Sequence, residues 1–104
     1  KKISYILGDM LEFGEKSEEL HQKVGKFCTL NKKVKNLLTV GEKSKNIKKS
    51  AIKSGLDQKK TEHFSTVKEL IEANLPLSFF GEVIYIKGSL GIKLLEFFKY
   101  ITQK

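Results

Sequence analysis

The sequence predicts a three-layer α/β domain, a mostly parallel sheet with helices on both faces. Two observations carry this expectation. Short β-branched and aromatic runs alternate with segments of helical periodicity about ten residues long. Three of those runs end in glycine, at Gly8, Gly41 and Gly88. Strands joined through helices of that length make right-handed crossovers, and such crossovers build parallel sheets.

The first run, Ile3-Ser4-Tyr5-Ile6-Leu7, is bounded by Gly8 and reads as a buried strand. Asp9 to Lys16 is a loop containing Gly14. Ser17 caps the following helix, and Glu18 and Glu19 in its first turn suit the positive end of the dipole. Leu20, Val24, Phe27 and Cys28 recur at i, i+4, i+7 and i+8, the spacing of one buried helical face. On that face Cys28 is a small buried hydrophobe, and His21 falls on the solvated side.

Leu37-Leu38-Thr39-Val40, ended by Gly41, predicts a second strand. A helix from Ser44 to Ser54 follows, with Ile47, Ala51 and Ile52 as its narrow apolar stripe and Gly55 at its stop. Glu62-His63-Phe64 adds a short edge strand in which His63 is structural. Thr66 and Glu69 form a capping box for a helix carrying Val67, Leu70 and Ile71, ended by Pro76. Glu82 to Lys87 is the clearest strand, and the last helix aligns Leu90, Leu94, Phe97, Phe98 and Ile101. The result is a Rossmann-like arrangement with a small sheet, as expected if the chain is truncated at its first strand.

At 104 residues the chain fits one domain, 1–104. A chain of this size buries roughly 60–70% of its extended surface, enough for a core without disulfides. Cys28 is the sole cysteine, which excludes an internal disulfide framework and a four-cysteine zinc site. No run approaches the ~18 apolar residues of a membrane span. Lys1-Lys2-Ile3-Ser4-Tyr5-Ile6 lacks an initiator Met and is too short in apolar residues for a signal peptide, so the start reads as an internal cut.

The net charge is +8, and all twenty basic residues are Lys. Geometric recognition of phosphate or guanine relies on the planar, bidentate guanidinium of Arg, which Lys does not reproduce. The lysines spread along the chain in short clusters, at Lys32, Lys33 and Lys35, at Lys43, Lys45, Lys48 and Lys49, and at Lys59-Lys60. They read as solvated helix faces, with a weak, salt-sensitive polyanion surface as the alternative. No specific nucleic-acid partner is expected, although a stand-alone basic α/β module that binds nucleic acid through its lysines is the alternative reading of the chain.

Open parallel sheets bind ligands beyond the carboxyl ends of their strands. Gly8-Asp9-Met10, Gly41-Glu42 and Lys87-Gly88-Ser89 therefore belong on one rim. Gly88-Ser89-Leu90-Gly91, between a strand and a helix, reads either as an anion cradle or as a tight turn with Ser89 as cap. It is not a Walker loop, because no Gly-Lys-Ser/Thr is present; Gly41-Glu42-Lys43-Ser44 fails too, with Asn36 where the first P-loop glycine belongs. Asp9, Glu12 and Glu15 suit a metal or a substrate amine, and equally loop solvation or helix capping. His21 and His63 have no ligand spacing to each other. No catalytic residue and no metal site is assigned.

The string Leu7-Gly8-Asp9-Met10-Leu11-Glu12-Phe13-Gly14, continued by Ser17-Glu18-Glu19-Leu20-His21 and Val24-Gly25, resembles the C-terminal domain of the Mur ligase family. The similarity runs on through Thr39-Val40-Gly41-Glu42 with Ser44, His63-Phe64 and Ile86-Lys87-Gly88-Ser89. It is greatest to the members that join D-alanyl-D-alanine to UDP-N-acetylmuramoyl-tripeptide in peptidoglycan precursor synthesis. The resemblance implies a cytoplasmic, three-domain, ATP- and Mg2+-dependent amide ligase acting through an acyl phosphate. The nucleotide would sit in a central ATPase domain of the same polypeptide. This chain alone would bind neither ATP nor Mg2+ and would be inactive. It would help bind the dipeptide and close the site through Gly8, Asp9, Met10, Lys87, Gly88 and Ser89. The family often carries Arg after Lys-Gly-Ser, where Leu90 stands here.

Overall fold

A computed structural model describes residues 1–30, 33–89 and 93–103. Four strands, β1 (Ile3–Gly8), β2 (Val34–Val40), β3 (Thr61–Phe64) and β4 (Val83–Lys87), form one sheet in the order β3-β2-β1-β4. Every pairing is parallel, with Ile6 opposite Leu38 on one side and Ile86 on the other. Five helices are described: α1 (Ser17–Cys28), α2 (Lys45–Lys53), α3 (Val67–Glu72), α4 (Leu77–Phe80) and α5 (Leu94–Thr102). A 3-10 segment, Leu11–Lys16, is kinked at Gly14 and leads into α1.

Period-2 alternation places successive strand residues on opposite faces. Ile6, Leu38 and Val40 pack with Phe80, Leu94 and Phe97 on one face. Leu7 and Leu37 pack with Cys28, Ile47 and Ala51 on the other. The expected α/β sandwich is therefore present, with α1 and α2 on one face and α3, α4 and α5 on the other. Buried polar side chains pin α4 to the amino ends of the strands. Ser4 Oγ donates to Phe80 O at 2.6 Å, and Asn36 Nδ2 donates to Phe79 O at 2.7 Å.

Five expectations are corrected. Of the expected stripe on α1, Cys28 is buried and Val24 packs against the core, but Phe27 is 69% exposed, and the buried positions are Ser17, His21, Gly25 and Cys28. The cause is the close approach of α2: a Cβ on Gly25 would lie 2.2 Å from Ile47 O. Only the small, polar side of α1 fits there, so His21 is fully buried, not solvated. Ser17 is the first helical residue, and Lys16 occupies the cap position without a side-chain bond. The second strand begins at Val34 because Asn36 finds buried partners on Ser4 and α4. Phe98 is half exposed, whereas Leu94, Phe97 and Ile101 are buried. Leu90, Gly91 and Lys32 lie outside the described residues.

The displaced apolar side of α1 faces an open flank. Val24, Phe27 and Met10 line a groove of about 530 Å³ with Tyr5, Tyr85 and Lys87. β4 is covered on one face only: Ile84 and Ile86 join the core, while Val83 and Tyr85 are exposed.

Candidate functional site

The parallel sheet brings the loops after β1, β2 and β4 to one rim. The chain steps from β1 to β2 to β3 and then reverses to β4 beside β1, so the rim has a topological switch point between β1 and β4. The two loops touch there through backbone. A Cβ on Gly88 would lie 3.2 Å from Gly8 Cα and 2.8 Å from Leu94 Cδ1, so a side chain there would press on both. Ser89 N–H donates to Asp9 O at 2.9 Å.

Asp9 is 4% exposed, and its carboxylate turns inward to the neighbouring loop. Oδ1 accepts Ser44 N–H at 2.7 Å, and Oδ2 accepts Lys43 N–H at 3.2 Å. These amides open α2, so Asp9 caps that helix from a loop thirty-four and thirty-five residues away. Gly41, at φ +109°, leaves room for it: a Cβ there would sit 2.6 Å from Asp9 Oδ1. Ser44 Oγ donates to Gly41 O at 3.1 Å and closes the turn.

Met10 N–H donates to His21 Nε2 at 3.0 Å. His21 Nδ1 lies 2.6 Å from Ser17 O and 3.2 Å from Ser17 Oγ. With Nε2 accepting, Nδ1 carries the proton and donates to Ser17 O. A second imidazole, His63 on β3, lies with Nδ1 2.7 Å from the buried Thr39 hydroxyl. Burial, with Lys48 nearby, lowers its pKa, while Asp9 and Glu42 act in the opposite sense. Burial pushes the Cys28 thiol up to about 11.

All six site residues expected from the sequence thus lie at one rim, in three environments. Gly8, Asp9 and Met10 are buried, Gly88 and Ser89 half-buried, and Lys87 exposed. Glu15 is exposed and apart from them, and the Glu12 side chain lies outside the described residues. The residues overlooked in the sequence are Lys43 and Ser44, whose amides Asp9 binds, and His21. The usable signal for His21 was Ser17, His21, Gly25 and Cys28, a polar and small stripe at helical spacing.

At the start of α2 the described residues do not fit a nucleotide phosphate. The amides at the start of α2 already bind a carboxylate, and a free helix N-terminus is what a phosphate needs. Among the described residues no three His, Cys, Asp or Glu side chains gather as metal ligands.

The family model for the Mur ligase, glutamate ligase domain matches residues 1–90. The chain belongs to the Mur ligase family. This Mur ligase domain is 31% identical over 102 residues to the UDP-N-acetylmuramoyl-tripeptide–D-alanyl-D-alanine ligase of Bacillus subtilis (strain 168), covering 98% of this chain and 22% of that protein. Its fold is similar to two crystal structures of MurF from Acinetobacter baumannii. One has a TM-score of 0.72 at 21% identity, covering 100% of this chain and 23% of that one. The other has a TM-score of 0.67 at 18% identity, covering 97% and 21%. The Mur ligase domain described here therefore spans about a fifth of the length of these relatives.

Proposed function

We propose that this chain is the C-terminal domain, 1–104, of a larger cytoplasmic ligase that joins D-alanyl-D-alanine to UDP-N-acetylmuramoyl-tripeptide. The carrying observation is the 31% identity to a ligase of that name across 98% of the chain. In this reading the peptide carboxylate is activated as an acyl phosphate, and the dipeptide amine displaces phosphate to form the amide. ATP and Mg2+ supply that activation and are held by the central domain of the same polypeptide, outside this chain. Among the described residues no helix is long and apolar enough to cross a membrane.

The chain's own residues bind and orient. Lys87 places an ammonium at the end of β4, exposed and able to attract the dipeptide carboxylate as a point charge. Ser89 stands two residues on, its backbone fixed to Asp9 O, and offers a hydroxyl that donates or accepts. Gly8 and Gly88 let backbone approach closely at the switch point. Asp9 serves by holding the β1 and β2 loops in one frame, and Met10 joins the rim to the apolar groove.

The test is phosphate release by the intact ligase, dependent on both UDP-N-acetylmuramoyl-tripeptide and D-alanyl-D-alanine. Lys87→Ala and Ser89→Ala should each raise KM for the dipeptide at least fivefold. Unchanged KM and kcat in both variants would remove Lys87 and Ser89 from the site. Turnover with a different amine in place of the dipeptide would move the enzyme elsewhere in its family. Turnover by the 104-residue chain alone would contradict its role as a partial site.

A further inference from the structure

The loop Gly8-Asp9-Met10 is held at three points. Ser89 N–H reaches Asp9 O, the Asp9 carboxylate reaches α2, and Met10 N–H reaches His21 on α1. The first two ties join the loop to its neighbours on the rim. The third joins it to the helix that the chain enters only after the kinked 3-10 segment. Met10 sits at φ −98°, ψ 85°, outside both helix and strand, so no ladder takes up its amide. His21 is 0% exposed and Met10 4% exposed. A buried amide that loses its acceptor carries the full cost of desolvation.

We propose that His21 is a positioning residue of this site: its Nε2 accepts the Met10 amide and sets the backbone of the loop that receives the incoming amine substrate. The proposal rests on the ligase reading for its substrate, but not for its geometry. His21 meets a demand that few side chains meet. It must reach past its own helix to accept from Met10 while donating to Ser17 O behind it, and a neutral imidazole protonated on Nδ1 does both. Ser17, one turn earlier, supplies the carbonyl at 2.6 Å that fixes this tautomer. Gly25, one turn later, lets α2 close over the ring's own face of α1.

Two isosteric replacements separate the two bonds. In His21→Gln the amide oxygen reaches about as far as Nε2 and preserves the acceptor for Met10. In His21→Asn the side chain ends near the position of Nδ1, keeps a donor for Ser17 O and leaves Met10 N–H without an acceptor. In the 15N-labelled chain, Met10 amide exchange should quicken at least tenfold in His21→Asn and less than threefold in His21→Gln. Long-range 1H–15N spectra of the native chain should show the proton on Nδ1. In the intact ligase, His21→Asn should raise KM for the amine substrate at least tenfold, with kcat changed less than threefold and His21→Gln close to native.

A proton found on Nε2, or equal Met10 exchange in the two variants, overturns the geometry. Equal KM in two folded variants whose Met10 exchange differs as expected overturns the positioning role alone. If the native intact protein shows no ligase activity, the ligase reading falls, and the labelled chain still decides whether His21 holds Met10.

Discussion

Replacing Asp9 with Ala strips the start of α2 of both acceptors at once. The bond to Ser44 N–H measures 2.7 Å and is buried; that to Lys43 N–H measures 3.2 Å and is part-buried. Hydrogen bonds to a charged group contribute about 1.5–3 kcal/mol each. The longer bond counts for less, and loss of a helix cap alone costs about 0.5–2 kcal/mol. These terms describe the same event and do not add, so the expected loss is ~2–4 kcal/mol. For a domain near this size each kcal/mol lowers Tm by about 4–8 °C. Urea unfolding followed by circular dichroism at pH 7 measures the loss directly. Asp9→Asn keeps one oxygen for Ser44 N–H and forfeits the charge, and should lose about 1 kcal/mol. In 15N spectra the Lys43 and Ser44 amides should move most. A loss below about 0.5 kcal/mol for Asp9→Ala, the level of an ordinary surface change, would refute the clamp, as would unmoved Ser44 and Lys43 amides.

Three further outcomes are expected. Gly25→Ala places a methyl carbon 2.2 Å from Ile47 O; forcing α1 from α2 should cost ~1–3 kcal/mol, and an unchanged or raised Tm would show that the helices are not so close. Cys28, its thiol pushed up to about 11 by burial, should resist iodoacetamide at pH 8 until urea unfolds the chain; equal labelling rates in native and unfolded protein would contradict its burial. The same shift makes stability fall as pH rises from about 9 towards 11, where the unfolded chain ionises its thiol first. His63, depressed by burial and by Lys48, should titrate by NMR below the ordinary histidine value. The unfolded chain then takes up a proton before the native one, so this contribution to stability is lost as pH falls below about 6.5; a native His63 titrating at or above that value contradicts it.

Glycine and β-branching made the strands legible. β1, β2 and β4 end at or just before Gly8, Gly41 and Gly88; Gly41 stands at positive φ, and a Cβ on Gly88 would crowd the backbone of Gly8. The common rim followed from parallel pairing alone. Helix α1 departs from its periodicity because the pattern counts apolar side chains and not the neighbours available to them. Phe27 faces the open flank while Val24 packs on the core, and the side towards α2 takes the small residue Gly25. Capping is one of the readings the sequence offers for Asp9, but the helix it caps is not legible, because that contact depends on strand order; the role of His21 is hidden by its burial against the loop that precedes its own helix. A carboxylate after β1 becomes a cap for α2 only because β2 lies beside β1. Helix α4 leaves no sequence signal, because its four residues are held by Ser4 and Asn36 and not by any pattern of their own.

The two rims along the sides of the sheet differ in a way that governs crowding of the chain at high concentration. At one side β3 is four residues long and is preceded by Lys59 and Lys60, both exposed. Short strands and lysines discourage a foreign strand from adding there. At the other side β4 presents the uncharged, β-prone run Val83-Ile84-Tyr85-Ile86, with Val83 and Tyr85 exposed, before it ends at exposed Lys87. Strand addition is therefore favoured at a single side. Two such sides meeting make an isologous, self-complementary contact that closes after one step, whereas a fibre needs two different sticky sides. Wherever this chain associates through its sheet, unequal edges of this kind favour discrete pairs over fibres.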